Sequence, residues 1–488
     1  MKKIYTMKKI CSLVCIVGLC GLAFCGERKY RCVPWERLST MQLPLPEIGR
    51  LRTRTSLQVR DSLFSIDCCT LDRDYANFDM YKDHLGALGV KHARIMSGWG
   101  RTERSPGNYD FSWLDRQVDG LLARGVQPWI SLGYGNPLYG SDSNITVRVS
   151  QVTGNPTAFS AWLRFVRAIV AHYRDRCDEW EIWNEPYDQG DAYAELYYRT
   201  AKAIRSVQPG ANCYVASIRW KDDLARNDYY KVLEKLKREN ALDLATRWIY
   251  HAYEANPDTS YEMWADKISA LVKRYTPSCS LMSGECGCPS QLEWAHAMNY
   301  CEWTEYSQAK WALRRALGDA IRKIPSNYFA MTDNLYPFML QSFGLIRSNG
   351  LKAFVYRRPS YYAMQNLYAV FDNGTEAVEL TRFGANRRAV TNASFRRDKQ
   401  VFHAIWYSDQ NPSSRLWFER ITLPVMQRLQ DPVWAELITG RVCEMRDVVQ
   451  TERDGKFMLA DVPIWDSPIL VMPRSLASTL LAKEIEQR

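Results

Sequence analysis

Trp180-Glu181-Ile182-Trp183-Asn184-Glu185-Pro186 reads as a short buried strand that stops at a proline. Just before the stop, an amide and a carboxylate stand side by side, framed by two indoles. Such a strand end suits work on a sugar. The carboxyl can hold or release a proton, the amide can bind a hydroxyl, and an aromatic ring can stack on a C–H face. The bland alternative is a strand that closes in an N-cap Asn and a helix-starting Glu-Pro pair.

Outward from this segment, one rhythm runs from about residue 60 to 335. Short β-branched or aromatic runs alternate with longer amphipathic ones. Candidate strands fall at 63–68, 92–96, 128–132, 180–184, 213–218, 247–252, 280–284 and 327–331. The clearest helix signal is the stripe of Phe159, Trp162, Phe165, Val166, Ile169, Val170 and Tyr173. Eight β/α units of this length predict an α/β fold, a (β/α)8 TIM barrel, which typically runs about 250 residues. A doubly wound sheet stays open as an alternative, although no Gly-rich phosphate fingerprint follows the first strand.

After about residue 375 the rhythm shortens. Alternating segments at 377–383, 401–407, 416–423, 434–437, 441–448 and 469–472 are separated by turns such as Asn373-Gly374 and Asp454-Gly455. The expected layout is a barrel at 60–375, a C-terminal β-sandwich at 376–478 and a tail at 479–488. The stretch 26–59 is rich in Pro and Arg and has no strong period. It either lends a strand to the sandwich or wraps the surface.

At 488 residues the chain is too long for one ordinary domain. Its 17 Trp and 28 Tyr are a high content; many must be core, and a surplus would suit a carbohydrate-binding surface. Four of the ten net positive charges sit on Lys2, Lys3, Lys8 and Lys9, so a chain without them is nearer +6. No long Lys/Arg run is present to track phosphates, so nucleic acid is not an expected partner.

Lys8 and Lys9 precede an apolar stretch at 10–24 that is too short for a comfortable membrane span, which reads as an export signal over 1–25. Met-Lys-Lys-Ile occurs twice, so Met7 is a second candidate start. Ala23 and Cys25 are small enough to flank a signal-peptidase cut. Leu22-Ala23-Phe24-Cys25 also resembles a lipoprotein cleavage box that would leave a lipidated Cys25, although Phe24 stands where a small residue is usual. Secretion to the periplasm or medium and a lipid anchor at Cys25 both stay open, and the membrane is expected as a partner only through that anchor.

Ten of the 14 cysteines follow Cys25, among them Cys68-Cys69, Cys286-Gly287-Cys288 and Cys301. An exported chain can form disulfides, but spacing does not give their pairing. The alternative is that most are small buried hydrophobes. With six His and no usual ligand spacing, zinc is not expected.

In a barrel of this kind the reacting groups sit at the C-terminal ends of the strands. Glu185 ends the fourth candidate strand, and Glu285, in Ser283-Gly284-Glu285-Cys286, ends the seventh. The two stand 100 positions apart, close to the roughly 93 expected of three β/α units. Two carboxylates facing one cavity are what glycoside hydrolysis requires. A surface Glu in a Gly-rich loop is the alternative for Glu285.

Supporting residues fall at other strand ends. Arg94, on the second strand, is placed to hold a carboxylate ionised, or else makes a structural ion pair. His251 and Tyr253 share one face of an extended segment at i, i+2 spacing. Tyr253 is expected to donate to Glu285 and His251 to meet a sugar hydroxyl, with core packing as the alternative for both. Phe329 is a candidate floor for the sugar, and Trp99 a candidate subsite wall.

These motifs resemble the clan A retaining glycoside hydrolases, and most closely glycoside hydrolase family 39, which includes β-xylosidases and α-L-iduronidases. The resemblance runs from about residue 60 to 372 and extends to the order of barrel and sandwich. Trp183-Asn184-Glu185-Pro186 is similar to the family's acid/base motif. His251-Ala252-Tyr253 resembles the clan's strand-six motif, and Ser283-Gly284-Glu285, more loosely, its nucleophile strand. Tyr328-Phe329-Ala330-Met331-Thr332-Asp333 is similar to a family segment that carries Trp where this chain has Phe329.

The resemblance implies a retaining, two-step hydrolysis of an oligo- or polysaccharide. Glu285 is the nucleophile and Glu185 the acid/base, with the carboxyl groups about 5–5.5 Å apart. Asn184 binds the hydroxyl beside the anomeric carbon. Trp183 raises the pKa of Glu185, while Arg94 and Tyr253 keep Glu285 charged. No metal or organic cofactor is required. A transglycosylase shares these residues, and a non-catalytic glycan-binding barrel would share the aromatics alone. Strict alternation points Asn184 and Glu185 to opposite faces, so the strand must end or bulge there.

Overall fold

The computed structural model describes residues 43–482 except 279, 447, 454 and 455. The leader with Cys25, the Asp454-Gly455 turn and residues 483–488 lie outside the described residues.

Eight strands close into a parallel barrel in sequence order. They are β1 (Phe64–Asp67), β2 (His92–Met96), β3 (Gln127–Leu132), β4 (Glu179–Ile182), β5 (Asn212–Val215), β6 (Arg247–His251), β7 (Leu281–Cys286) and β8 (Ser326–Tyr328). Each overlaps one of the expected runs. Helices cover the outer face and side chains fill the inner one, so the strands are buried on both sides.

The helix Pro156–Tyr173 shows how local chemistry sets this layer. Asn155 caps it by accepting from the Thr157 and Ala158 amides, and Pro156 occupies the first turn, where its missing N–H is harmless. Its stripe then buries Trp162, Phe165, Val166, Ile169, Val170 and Tyr173. Each such side chain contributes about 1.5–3 kcal/mol.

The strands that follow are β9 (Thr375–Ala385), β10 (Arg388–Arg397), β11 (Gln400–Tyr407), β12 (Glu419–Val425), β13 (Pro432–Glu436), β14 (Arg441–Glu444), β15 (Gln450–Arg453), β16 (Lys456–Ile464) and β17 (Ile469–Pro473). They form two antiparallel sheets. One runs β14-β13-β17-β11-β10-β9, the other β12-β16-β15. The strand Glu47–Arg50 pairs with β14, so the Pro- and Arg-rich stretch does lend a strand to the sandwich.

Sequence reasoning missed β10. Its centre reads Thr391, Asn392, Ala393 and Ser394, too polar to register as a buried run. Asn392 and Ser394 tolerate burial because Asn392 donates to the Pro424 carbonyl at 2.9 Å and Ser394 bonds His403 at 3.0 Å, while the buried Thr391 hydroxyl has no side-chain or backbone partner among the described residues. β15 and β16 were likewise not expected.

The helix Glu305–Ile321 lies between barrel and sandwich and is buried along almost its whole length. Arg314 on it binds Asp258 at 2.6 Å, and its guanidinium also donates to the Gln410 and Ser408 carbonyls beyond β11. Removing Arg314 strands the Asp258 carboxylate without its cation. Arg314→Ala should therefore destabilise the protein by roughly 3–5 kcal/mol, read as a lower midpoint in urea unfolding. An unchanged midpoint would show that the two layers do not depend on this clamp. Among the described residues no helix is long and apolar enough to cross a membrane.

Candidate active site

β4 alternates as a barrel strand should: Trp180 points outward and donates to Gln208, while Glu181 points inward. The strand ends at Ile182. Trp183 (φ 71°) and Glu185 (φ 49°) then adopt left-handed backbone, which costs of order 1–3 kcal/mol at each non-glycine. This break in alternation brings both Asn184 and Glu185 to the barrel mouth. It also turns the Trp183 ring away from the pocket, edge-on to Trp162 and Tyr134, where it is 1% exposed. Trp183 is thus a core residue and not a sugar contact. The same holds for Trp99. It is 0% exposed, stacks on Tyr139 and Phe165, and donates its indole N–H to Glu103, so it walls no subsite.

Glu285 ends β7 just after Gly284. A Cβ there would meet Ile249 Cγ2 at 2.3 Å, so only glycine lets β7 lie this close to β6. Glu285 Oε1 accepts from the Tyr253 hydroxyl at 2.6 Å, and Oε2 from Arg94 Nη1 at 2.8 Å. Glu185 Oε1 accepts from the Tyr187 hydroxyl at 2.9 Å and lies 2.6 Å from His251 Nδ1. One oxygen each of Glu185 and Glu285, with a His251 nitrogen, lie within 4.8 Å of one another. Asn184 accepts from Arg94 at 2.7 Å and donates to the Tyr134 hydroxyl at 3.0 Å. Phe329 is 4% exposed and packs on Phe343, which in turn meets Tyr253, so little of its ring is left to floor a sugar.

The structure therefore gathers Glu185, Glu285, Asn184, Arg94, His251 and Tyr253 and sets Trp183 and Trp99 aside. It adds residues that sequence reasoning missed. Asp67 at the end of β1 and Glu181 on β4 both bind Arg94. Glu181 had a legible signal, four positions before Glu185 and on the inward phase of β4. Tyr187 and Tyr134 had none, since each comes from a loop.

The electrostatics reverse the expectation. Burial pushes Glu285 above the usual carboxylate range, Glu185 adds to the rise, and His251 and Arg94 only partly oppose it. Burial also acts to raise Glu185, but the hydrogen bond and charge of His251 outweigh it and hold Glu185 low. His251 rises although burial opposes its charge, because both carboxylates face it. A lowered Glu185 and a raised His251 both favour the ion pair, with the shared proton on His251, across their 2.6 Å contact. Glu185, His251 and Glu285 are grouped closely enough to hold a metal ion. However, a guanidinium and two phenols already direct protons at the two carboxylates, which is a proton-transfer environment.

No family model matches the chain. A β-xylosidase of Geobacillus stearothermophilus is 31% identical to it over 116 residues, 21% of this chain and 23% of that protein. The match thus spans about a quarter of that relative's length. A family 39 glycoside hydrolase from the gut symbiont Bacteroides cellulosilyticus WH2 superposes with a TM-score of 0.60 at 17% identity, over 85% of this chain and 81% of that one. A family 30 endoxylanase from Clostridium papyrosolvens gives 0.51 at 12% identity, over 88% of this chain and 98% of that one. Coverages this large exceed the barrel alone, so the chain shares the fold of these glycoside hydrolases over most of its length.

Proposed function

We propose that this protein is a retaining glycoside hydrolase that cleaves a β-glycosidic bond in an oligo- or polysaccharide, with a β-xyloside as the first substrate to try. The observation that carries the reading is that one oxygen of Glu185 and one of Glu285 lie within 4.8 Å of each other across the barrel mouth. Inverting enzymes keep their carboxyl groups about 6.5–9.5 Å apart to admit a water, and retaining ones about 5–5.5 Å.

In the first step Glu285 attacks the anomeric carbon and the bond to the leaving oxygen breaks. Arg94 and Tyr253 aim the two Glu285 oxygens, and Asn184 offers its amide to the neighbouring hydroxyl. The proton the leaving oxygen needs is held between His251 and Glu185. A docked sugar expels water, which disfavours a separated charge pair and moves that proton onto Glu185. In the second step Glu185 takes a proton from water, the water oxygen bonds to the anomeric carbon, and Glu285 departs.

The test is hydrolysis of a nitrophenyl glycoside panel followed by proton NMR. The first-formed sugar should keep the anomeric configuration of the substrate. Inversion would refute the two-step route, and binding without turnover would make the protein a glycan-binding barrel. The pH profile of kcat/KM should be bell-shaped. Its acid limb follows Glu285, which must be ionised and is raised, so activity should begin to fall above the ordinary carboxylate range. Its basic limb follows loss of the His251–Glu185 proton and should lie above the ordinary imidazole value of about 6.5.

The loop after β7 and the hairpin after β8 carry exposed aromatics. Trp294, on the loop after β7, and Phe338, at the tip of the hairpin Asn334–Tyr336 and Met339–Gln341, are each 96% exposed. Glu293 ties the loop to the hairpin through the Ser342 amide at 2.7 Å, and His296 packs on Tyr336, which feels the charge of Glu285. Trp294→Ala and Phe338→Ala should each raise KM for an oligosaccharide about fivefold, the effect of roughly 1 kcal/mol of ring stacking. Aryl monosaccharides should be unaffected. Equal effects on both substrates would place these rings outside the path of the chain.

A further inference from the structure

One guanidinium at the floor of the pocket serves four acceptors. Arg94 gives Nε and Nη2 to a single oxygen of Glu181, at 2.8 and 2.7 Å. Its Nη1 reaches Asp67 at 3.1 Å and Glu285 at 2.8 Å, and its Nη2 also reaches Asn184 at 2.7 Å. Arg94 and Glu181 are fully buried, and the other Glu181 oxygen, Oε1, has no partner. A bare buried carboxylate oxygen is expensive, and a protein interior seldom leaves one unmatched.

We propose that Glu181 is a positioning residue that acts on Glu285 through Arg94, fixing the guanidinium so that Nη1 meets Glu285 and Nη2 meets Asn184, and balancing its charge so that Glu285 stays a strong nucleophile. The inference rests on the glycosidase reading of the site. A carboxylate beside a lone, unbalanced arginine is strongly stabilised in its charged form and attacks less readily. With Glu181 and Asp67 both drawing on the same cation, Arg94 orients Glu285 without quenching it. The other groups that face Glu285 are Asp67 and Cys69 from β1 and its following loop, Glu185 after β4, His251 and Tyr253 from β6, and Tyr336 from the hairpin after β8. Apart from His251 these add negative or neutral groups, so Arg94 is the permanent cation in direct contact with Glu285, and Glu181 shares its balance with Asp67.

The test is Glu181→Gln, which keeps volume and removes the charge. With Arg94 less balanced, the acid limb of kcat/KM should move down by roughly one pH unit, and kcat should fall about tenfold. Glu181→Asp keeps the charge, so its limb should stay at the wild-type position while kcat falls through lost geometry. A purely structural role would lower kcat in both variants with neither limb moved, and that result overturns the proposal. If Glu181→Gln does not fold, Glu181→Met removes the charge without an unpaired amide and is read in the same way. Infrared titration of the Glu285 carboxyl band, assigned by its loss in Glu285→Gln, supplies a readout that needs no turnover. Its midpoint should fall in Glu181→Gln, and an unmoved midpoint counts against the proposal. Absence of any glycoside turnover by the wild-type protein would sink the glycosidase reading while this titration still tests the Arg94 balance.

Discussion

Glu285→Gly should leave a folded protein that has lost hydrolysis, with kcat lower by on the order of 10⁵-fold. The side chain removed lies at the pocket mouth and is 12% exposed, while Arg94 keeps its contacts with Glu181 and Asp67. The space left behind faces the Arg94 guanidinium and the Tyr253 hydroxyl, which together form a site for a small anion. Azide should enter it, attack the anomeric carbon from the face Glu285 used, and restore turnover of a nitrophenyl glycoside. Because the second displacement no longer occurs, the product should be a glycosyl azide of inverted configuration. NMR of the product decides the matter. Full activity in the variant, or an azide of retained configuration, would remove Glu285 from the nucleophile's place.

Glu185→Ala should produce a different pattern. Loss of the proton donor matters in proportion to how much help the leaving group needs. Glycosides with poor leaving groups should lose about 10²–10⁴ in kcat/KM, and a dinitrophenyl glycoside far less. With that activated substrate the first step stays fast while water is no longer deprotonated, so a burst of dinitrophenol should precede a slow steady state. Azide should again rescue, but through the intact glycosyl-enzyme, giving a product of retained configuration. The basic limb of the pH profile should flatten, since the proton it reports is held at the 2.6 Å contact between His251 and Glu185. A variant with an unchanged basic limb and no leaving-group dependence would place the acid elsewhere. The contrasting azide products separate the two carboxylates without relying on the size of either rate loss.

The barrel was legible because each of its strands carries a local signature. A β-branched or aromatic run, bounded by turn residues and followed by an amphipathic stripe, states its own conformation, and eight in succession leave few topologies open. The Asn184-Glu185 pair was legible for the same reason: a polar dipeptide at the stop of a buried strand has few structural uses. β10 was not legible. The two amide and hydroxyl groups at its centre that are satisfied find their partners on other strands, Asn392 at Pro424 and Ser394 at His403, which no local pattern announces.

Side-chain direction and charge state belong to a different scale. Whether Trp183 faced a sugar or the helix layer turned on a left-handed φ of 71°, which Trp162 and Tyr134 hold in place and no periodicity encodes. Trp99, just past β2, reads as a subsite wall, yet it begins a short helix and closure of the helix layer buries it completely. The protonation of the two carboxylates depends on distances between β1, β2, β4, β6 and β7 that exist only once the ring has closed. Spacing along the chain thus told which residues arrive at the barrel mouth. Their mutual electric field, which varies steeply over a few ångströms in a low-dielectric interior, came from the folded neighbours, and it assigned the low value to Glu185 and the high one to Glu285.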